Sequence, residues 1–176
     1  MRKELGIGLA LSACALVLSA CGFRPLYATE STPAGVATYF GQIYVEEMTG
    51  RTGLVLRNQL MDAFTPLGTP GASAFRLTVK LEEKREGLAI QENTEITRYN
   101  YTLIARFELR DSQTEQVLNT GTSRAIAGYN VVNSQFATQT ALRDAEERAA
   151  RELGEDIRLR LGIYFERRYG VTDRPA

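Results

Sequence analysis

Histidine is absent from this 176-residue chain, and that absence closes more chemistry than any residue present opens. Without an imidazole there is no Ser-His-Asp or Cys-His arrangement, no facial triad and no imidazole zinc site. Cysteine is nearly as scarce. Cys14 lies inside an apolar N-terminal run and Cys21 directly after it, so a mature chain that loses the first and modifies the second has no disulfide. Beyond Lys3, lysine is confined to Lys80 and Lys84, both in or beside a strand pattern with no candidate serine near in sequence, which leaves Ser-Lys catalysis without support. A phosphate-binding glycine motif is missing too, since Gly68-Thr69-Pro70-Gly71 reads as a turn. An excess of charge of one sign is also lacking: 21 basic and 21 acidic side chains balance, so no global field favours nucleic acid. The local carboxylate cluster Asp144, Glu146 and Glu147 is what a carboxylate-based hydrolase would have to use, and it reads as a solvated helix face. The chain is expected not to be an enzyme, and to hold no metal or cofactor.

What is present begins with an address. Arg2 and Lys3 precede an apolar run, Leu5 to Ala20, of roughly 16 residues. That is short of the ~20 needed to span a bilayer core as a helix and suits a secretory signal peptide. Leu18-Ser19-Ala20-Cys21 resembles the lipobox of bacterial lipoproteins. The resemblance implies a diacylglycerol on the Cys21 thiol, cleavage before it, and acylation of the new amino terminus. The alternative is an ordinary signal peptide with Cys21 incidental. Two or three acyl chains make a stable anchor where one does not. Gly22, where an Asp would direct retention, favours the outer membrane by resemblance to enteric sorting rules. The expected organisation is a signal peptide over 1–20, a lipidated N-terminus and tether over 21–38, a folded domain over 39–170 and a disordered tail over 171–176. Removal of Arg2, Lys3 and Glu4 with the signal leaves a charge of roughly −1 on a chain of ordinary single-domain size.

Within the domain, Tyr39 to Glu46 predicts a first strand. A helix is expected over Thr52 to Phe64, capped by Thr52 and stopped by Pro66, with Leu56, Leu60, Ala63 and Phe64 on one stripe and Arg57 and Asn58 on the open side. Phe75, Leu77, Val79 and Leu81 alternate with polar residues, as do Tyr99, Tyr101, Leu103, Ala105, Phe107 and Leu109; this is the period of a sheet with one buried and one wet face. Glu83 to Glu95 is polar and reads as a long hairpin extension or loop. Gln116 to about Asn130 predicts a weaker strand, with Gly121 and Gly128 as bulge or bend sites. Ser134 to about Arg168 lacks proline and places Leu142, Ala145, Ala149, Leu153, Ile157, Leu161 and Tyr164 on one helical stripe. Its polar side mixes signs, which favours packing on the sheet over lying on a membrane.

The element order is therefore β-α-β-β-β-α. The fold class is α+β: a two-layer sandwich with two helices on one face of a roughly four-stranded mixed sheet. A strand followed by a crossover helix makes one parallel pair plausible.

In this order and spacing, several words resemble the alphaproteobacterial form of the lipopolysaccharide-assembly lipoprotein family, LptE. They are Cys21-Gly22-Phe23-Arg24-Pro25-Leu26-Tyr27, Leu56-Arg57-Asn58-Gln59-Leu60, Thr97-Arg98-Tyr99, Tyr129-Asn130-Val131 and Ser134-Gln135-Phe136-Ala137, the last leading to Ala141 and Asp144-Ala145. The resemblance covers essentially the whole mature chain. It implies a lipid-anchored protein on the periplasmic side of the outer membrane. Such a protein plugs and helps assemble the β-barrel LptD and takes part in carrying lipopolysaccharide to the outer leaflet. Large barrels have polar inner walls, and the outward rows Arg76, Thr78, Lys80 and Arg98, Asn100, Thr102, Arg106 would suit one. Lys84 and Arg85, at the expected hairpin end, are the candidates for gripping anionic groups of lipopolysaccharide by charge-assisted hydrogen bonds; the alternative is plain solvated charges beside Glu82, Glu83 and Glu86. A different periplasmic lipoprotein, a scaffold or binding module for peptidoglycan or another outer-membrane assembly machine, is the competing reading.

Overall fold

The structure, a computed structural model, describes residues 34–65, 73–90 and 96–169. Its elements are α1 (Ala34–Phe40), β1 (Ile43–Val45), α2 (Gly50–Phe64), β2 (Phe75–Ile90), β3 (Ile96–Asp111), β4 (Val117–Asn130) and α3 (Gln135–Tyr169). The four strands form one sheet in the order β1-β2-β3-β4. β1 runs parallel to β2, with Ile43 opposite Phe75, and the other pairs are antiparallel. The α+β sandwich and its expected order are present, with one short helix added in front. Lipidation at Cys21, the segment 1–33 and the tail from 171 lie outside the described residues.

The strands follow the period-2 pattern because each carries one apolar row. Leu77, Tyr101, Leu103, Ala105, Leu109 and Ala125 are buried against the helices. Leu56, Leu60 and Phe64 of α2, and Ala145, Ala149, Leu153, Ile157, Leu161 and Phe165 of α3, close the core from above. Each large side chain so buried contributes about 1.5–3 kcal/mol. The small residues on the first half of α3 let it lie close to the sheet. Gly154 does the same toward α2: a Cβ there would stand 2.9 Å from Cγ of Gln59.

Several boundaries differ from expectation. Tyr39 and Phe40 belong to α1 and not to a strand. Tyr39 stacks on Tyr169 at 4.6 Å between ring centroids, and Phe40 on Phe64 at 5.2 Å. Packing of the two rings against helices outweighs their β propensity. α2 begins two residues before Thr52, at Gly50, with Thr49 in the capping position, so Thr52 is not its cap. It is buried, with its Oγ1 3.5 Å from the Tyr101 hydroxyl. Of the two readings of the polar stretch after Glu82, the hairpin extension holds: it is strand as far as Ile90, because the ladder to β3 continues from Glu83↔Leu103 to Gly87↔Tyr99. Backbone pairing, indifferent to the side chains, carries the hairpin beyond the helices. At Gly121 and Gly128 the β3–β4 ladder is unbroken, the irregularity falling at Leu109/Arg110. Gly121 instead makes room for Phe107, whose ring would stand 2.4 Å from any Cβ at that position. At the end of α3 the buried stripe passes through Phe165, and Tyr164 is only half-buried.

Candidate functional surface

Both helices that cover the sheet lie on one face, so the opposite face is open. Along β2 this phase carries Arg76, Thr78, Lys80, Glu82, Lys84 and Glu86, and along β3 Arg98, Asn100, Thr102, Ile104, Arg106, Glu108 and Arg110; Thr102, expected to face outward into solvent, is buried among its neighbours. These rows register with Thr120, Thr122, Arg124 and Ile126 of β4. Basic side chains outnumber acidic ones on this face, although the whole chain is neutral. The acids are shared between cations. Glu82 sits 3.0 Å from Lys84 and 3.3 Å from Arg106, and these contacts, Lys84 first, hold its carboxyl below the usual carboxylate range. Glu46 accepts a hydrogen bond from Thr78 at 2.8 Å and lies 3.8 Å from Arg76, which also reaches Glu115 at 3.1 Å. Arg110 pairs with Glu108 on its own strand. Lys80 stands across from Arg106 in the register. Both border a shallow depression of about 520 Å³, with Thr78, Arg110, Thr120 and Thr122.

The helix-covered face holds its polar groups to a few satisfied contacts. Ser123 points inward from β4 and donates to Asp156 on α3, which also accepts from Arg160 at 2.7 Å. Burial pulls the Asp156 carboxyl upward, but the Ser123 hydroxyl and the Arg160 guanidinium outweigh it and leave the group below its ordinary value. Burial pushes the Tyr101 hydroxyl above the ordinary phenol range, against the lowering effect of Thr52. No buried side-chain polar atom among the described residues lacks a hydrogen-bond partner.

Lys84 and Arg85 are not brought together. Consecutive strand residues point to opposite faces, so Lys84, opposite Thr102, belongs to the open face, where it pairs with Glu82. Arg85, opposite Tyr101, belongs to the other side and lines a recess of about 460 Å³ with Tyr129, Asn133 and Gln139 at the start of α3. The carboxylate cluster is engaged in ion pairs. Arg51 of α2 reaches Glu146 at 3.2 Å and Glu147 at 2.6 Å, while Asp144 is 3.1 Å from Arg148. The Arg51 contacts tie α2 to α3. Arg57 is not simply solvated: its Nε donates to the Val45 carbonyl at 3.3 Å, on the outer edge of β1. The tertiary partners of Arg51, Arg57 and Ser123 had no local signal in the sequence, beyond Ser123 falling on the inward phase of its strand. Among the described residues there is no group of three or more acidic, Cys or His side chains placed to hold a metal ion, and no helix is long and apolar enough to cross a membrane.

No curated protein sequence matches the chain. Among solved structures it is similar to a Caulobacter crescentus CB15 protein described as a candidate lipoprotein. Identity is 25%, with 75% of this chain and 96% of that one covered, at a TM-score of 0.65. It also resembles lipoprotein B of Nitrosomonas europaea, at 10% identity and a TM-score of 0.56 over 76% of this chain and 90% of that one, a likeness of fold. The model of the LptE family, described as lipopolysaccharide-assembly, matches residues 40–161, from the end of α1 through most of α3. By that match, over an α+β sandwich shared with a lipoprotein-like relative, the chain belongs to the LptE family of lipopolysaccharide-assembly proteins.

Proposed function

We propose that this protein is a lipoprotein of the outer membrane, held on its periplasmic side by lipid on Cys21, that plugs and helps assemble the LptD β-barrel and takes part in delivering lipopolysaccharide to the outer leaflet. In this reading residues 1–20 are the signal, the following segment is the tether, and the sandwich from α1 onward is the plug. The role is non-catalytic.

The observation that supports it best is the open face of the sheet. A protein that sits inside a large barrel must meet a polar wall. A sheet face left free of helices and populated by interleaved Arg, Lys, Glu and Thr offers hydrogen bonds and charges of both signs for that wall. Its basic surplus, with Lys84 at its outer reach, suits contact with the anionic groups of lipopolysaccharide; Arg85 would meet such groups only at the other side of the hairpin.

The test is a pull-down with a C-terminal tag from detergent-solubilised outer membranes, with captured proteins identified by mass spectrometry. Recovery of one large β-barrel in near-equal amount is the expected result. Recovery of a peptidoglycan-linked complex, or of no barrel, would overturn the plug reading.

A further inference from the structure

We infer that the free outer edge of β2 is a pairing surface for a second copy of this chain, joined antiparallel about Glu83 before any barrel encloses it. β1 covers only the beginning of β2, opposite Phe75 to Leu77. There the Phe75 N–H donates to the Gln42 carbonyl, and the Leu77 carbonyl accepts from the Glu46 N–H. Outward backbone groups recur at every second residue of a strand. Those of Leu81, Glu83, Arg85 and Gly87 therefore face the same side, and the ladder to β3 is regular as far as Gly87. Among the described residues nothing bonds them.

The other two edges are treated differently. On β1 the Val45 carbonyl accepts from Arg57 Nε at 3.3 Å, and on β4 the Gly128 carbonyl accepts from an Arg148 guanidinium nitrogen at 3.0 Å. A row of unpaired N–H and C=O groups is a template for another strand. Proline, which would blunt it, is absent from β2.

The side chains select the occupant. Along the free run the open-face row reads Lys80, Glu82, Lys84, Glu86. Laid antiparallel on its own copy with Glu83 at the two-fold axis, the row sets Lys80 opposite Glu86 and Glu82 opposite Lys84. These are the closer, non-hydrogen-bonded pairs, because the outward backbone groups belong to the residues between them. Lys80 and Glu86 have no ion-pair partner among the described residues, while Glu82 and Lys84 exchange their contact at 3.0 Å within the chain for the same contact across the axis. Lysine on an edge ordinarily repels a second strand, but here each lysine of the row meets a glutamate. On the other phase Leu81 stands opposite Arg85. The like-signed meeting of Glu83 with its copy is offset by the other copy's Arg85, diagonal to it. Moving the axis to Glu82 or Lys84 sets Lys against Lys and Glu against Glu, so the charges fix the register. The corresponding row of β4, Thr120, Thr122, Arg124 and Ile126, has no such self-match.

The inference stands on the sheet edge and not on the barrel reading. A chain enclosed as a plug cannot also hold a second copy. The pair is therefore the state of a chain that awaits its barrel, with an edge covered that would otherwise recruit unrelated strands.

Glu83→Cys places one thiol at the axis. The full chain is produced in excess over any barrel, its lipid is checked by mass spectrometry, and the membranes are treated with a mild oxidant. On a non-reducing gel Glu83→Cys is expected to run mainly as a covalent dimer. The unsubstituted chain should stay monomeric, as should Arg85→Cys, whose thiol is out of register with its own copy. Without cross-linking, Glu82→Lys is expected to weaken the dimer roughly tenfold by sedimentation in detergent. Adding Lys84→Glu, which restores opposite signs across the axis, should recover it. A monomer at every concentration with Glu83→Cys unlinked overturns the inference, as does equal linking at 83 and 85. A dimer indifferent to Glu82→Lys, or not recovered by Lys84→Glu, overturns the register. None of these failures touches the barrel pull-down, so the two readings fall separately.

Discussion

The two faces of the sheet are made by the same three long strands, residue by residue in alternation, yet they obey different rules. On the helix-covered face most side chains are apolar, and the buried polar exception, Ser123, is satisfied by Asp156 on α3. On the open face charges are shared loosely, with Glu82 between Lys84 and Arg106 and Glu46 between Thr78 and Arg76. The first face is where stability resides, because large apolar groups lose water there. The second adds little to stability, because exposed ion pairs are worth about 0–1 kcal/mol. That leaves its composition free to be set by what the protein meets.

The sharpest way to break this comparison is to exchange the severity of substitutions between the faces. Leu103→Ala, in the centre of the covered face, should cost about 2–5 kcal/mol. Lys80→Ala, on the neighbouring strand but the open face, should stay within about 0.5 kcal/mol. Denaturant unfolding of both variants checks this; comparable losses would mean that the open face is covered in the isolated protein. A step down in size, Gly121→Ala places a Cβ against the Phe107 ring and should cost about 1–3 kcal/mol by overpacking. Adding Phe107→Leu should recover part of that loss, and a double-mutant cycle that returned simple additivity would dismiss the contact.

Ser123→Ala probes a charged contact that joins a strand side chain of the covered face to a helix. The folded-state pKa of Asp156 is lowered, so its ionised form favours the fold above the unfolded carboxylate value near about 3.9. That contribution is lost as pH falls through the folded-state value. The variant should lose about 1 kcal/mol at neutral pH and shift the Asp156 titration upward. The gap from the parent should narrow in acid; a pH-independent gap would refute the linkage. A modest effect belongs to Arg51→Ala, which removes the exposed bridge to Glu146 and Glu147. A loss of a few tenths to about 1 kcal/mol, shrinking in high salt, is expected, read from thermal unfolding at two salt concentrations.

Much of the fold could be read from residue order because the signals were periodic. The alternation from Phe75 and from Tyr99 named the buried rows, and the stripe from Leu142 to Leu161 named the face of α3 that packs. What misled was local preference without a partner in view. The aromatic pair Tyr39-Phe40 has strand propensity but is helical, because its rings find Phe64, Phe165 and Tyr169. A glycine in a strand suggested a bulge at Gly121, where the need was room for Phe107. Thr52 had the chemistry of a cap and is spent on Tyr101.

Of the candidate surface, the sequence by itself determined which residues alternate outward, since a strand has period 2 whatever lies around it. It likewise determined that no imidazole chemistry is open to this chain. That both helices stack on one side of the sheet followed from the one-sided alternation of its strands; only the tertiary structure decided which residues of the two helices meet, as Arg51 meets Glu146 and Glu147. The structure also decided that Lys84 and Arg85 part to opposite faces, because strand β2 runs on past Glu82. Those outcomes depend on which elements meet, and contacts between residues far apart in the chain leave no local trace in sequence.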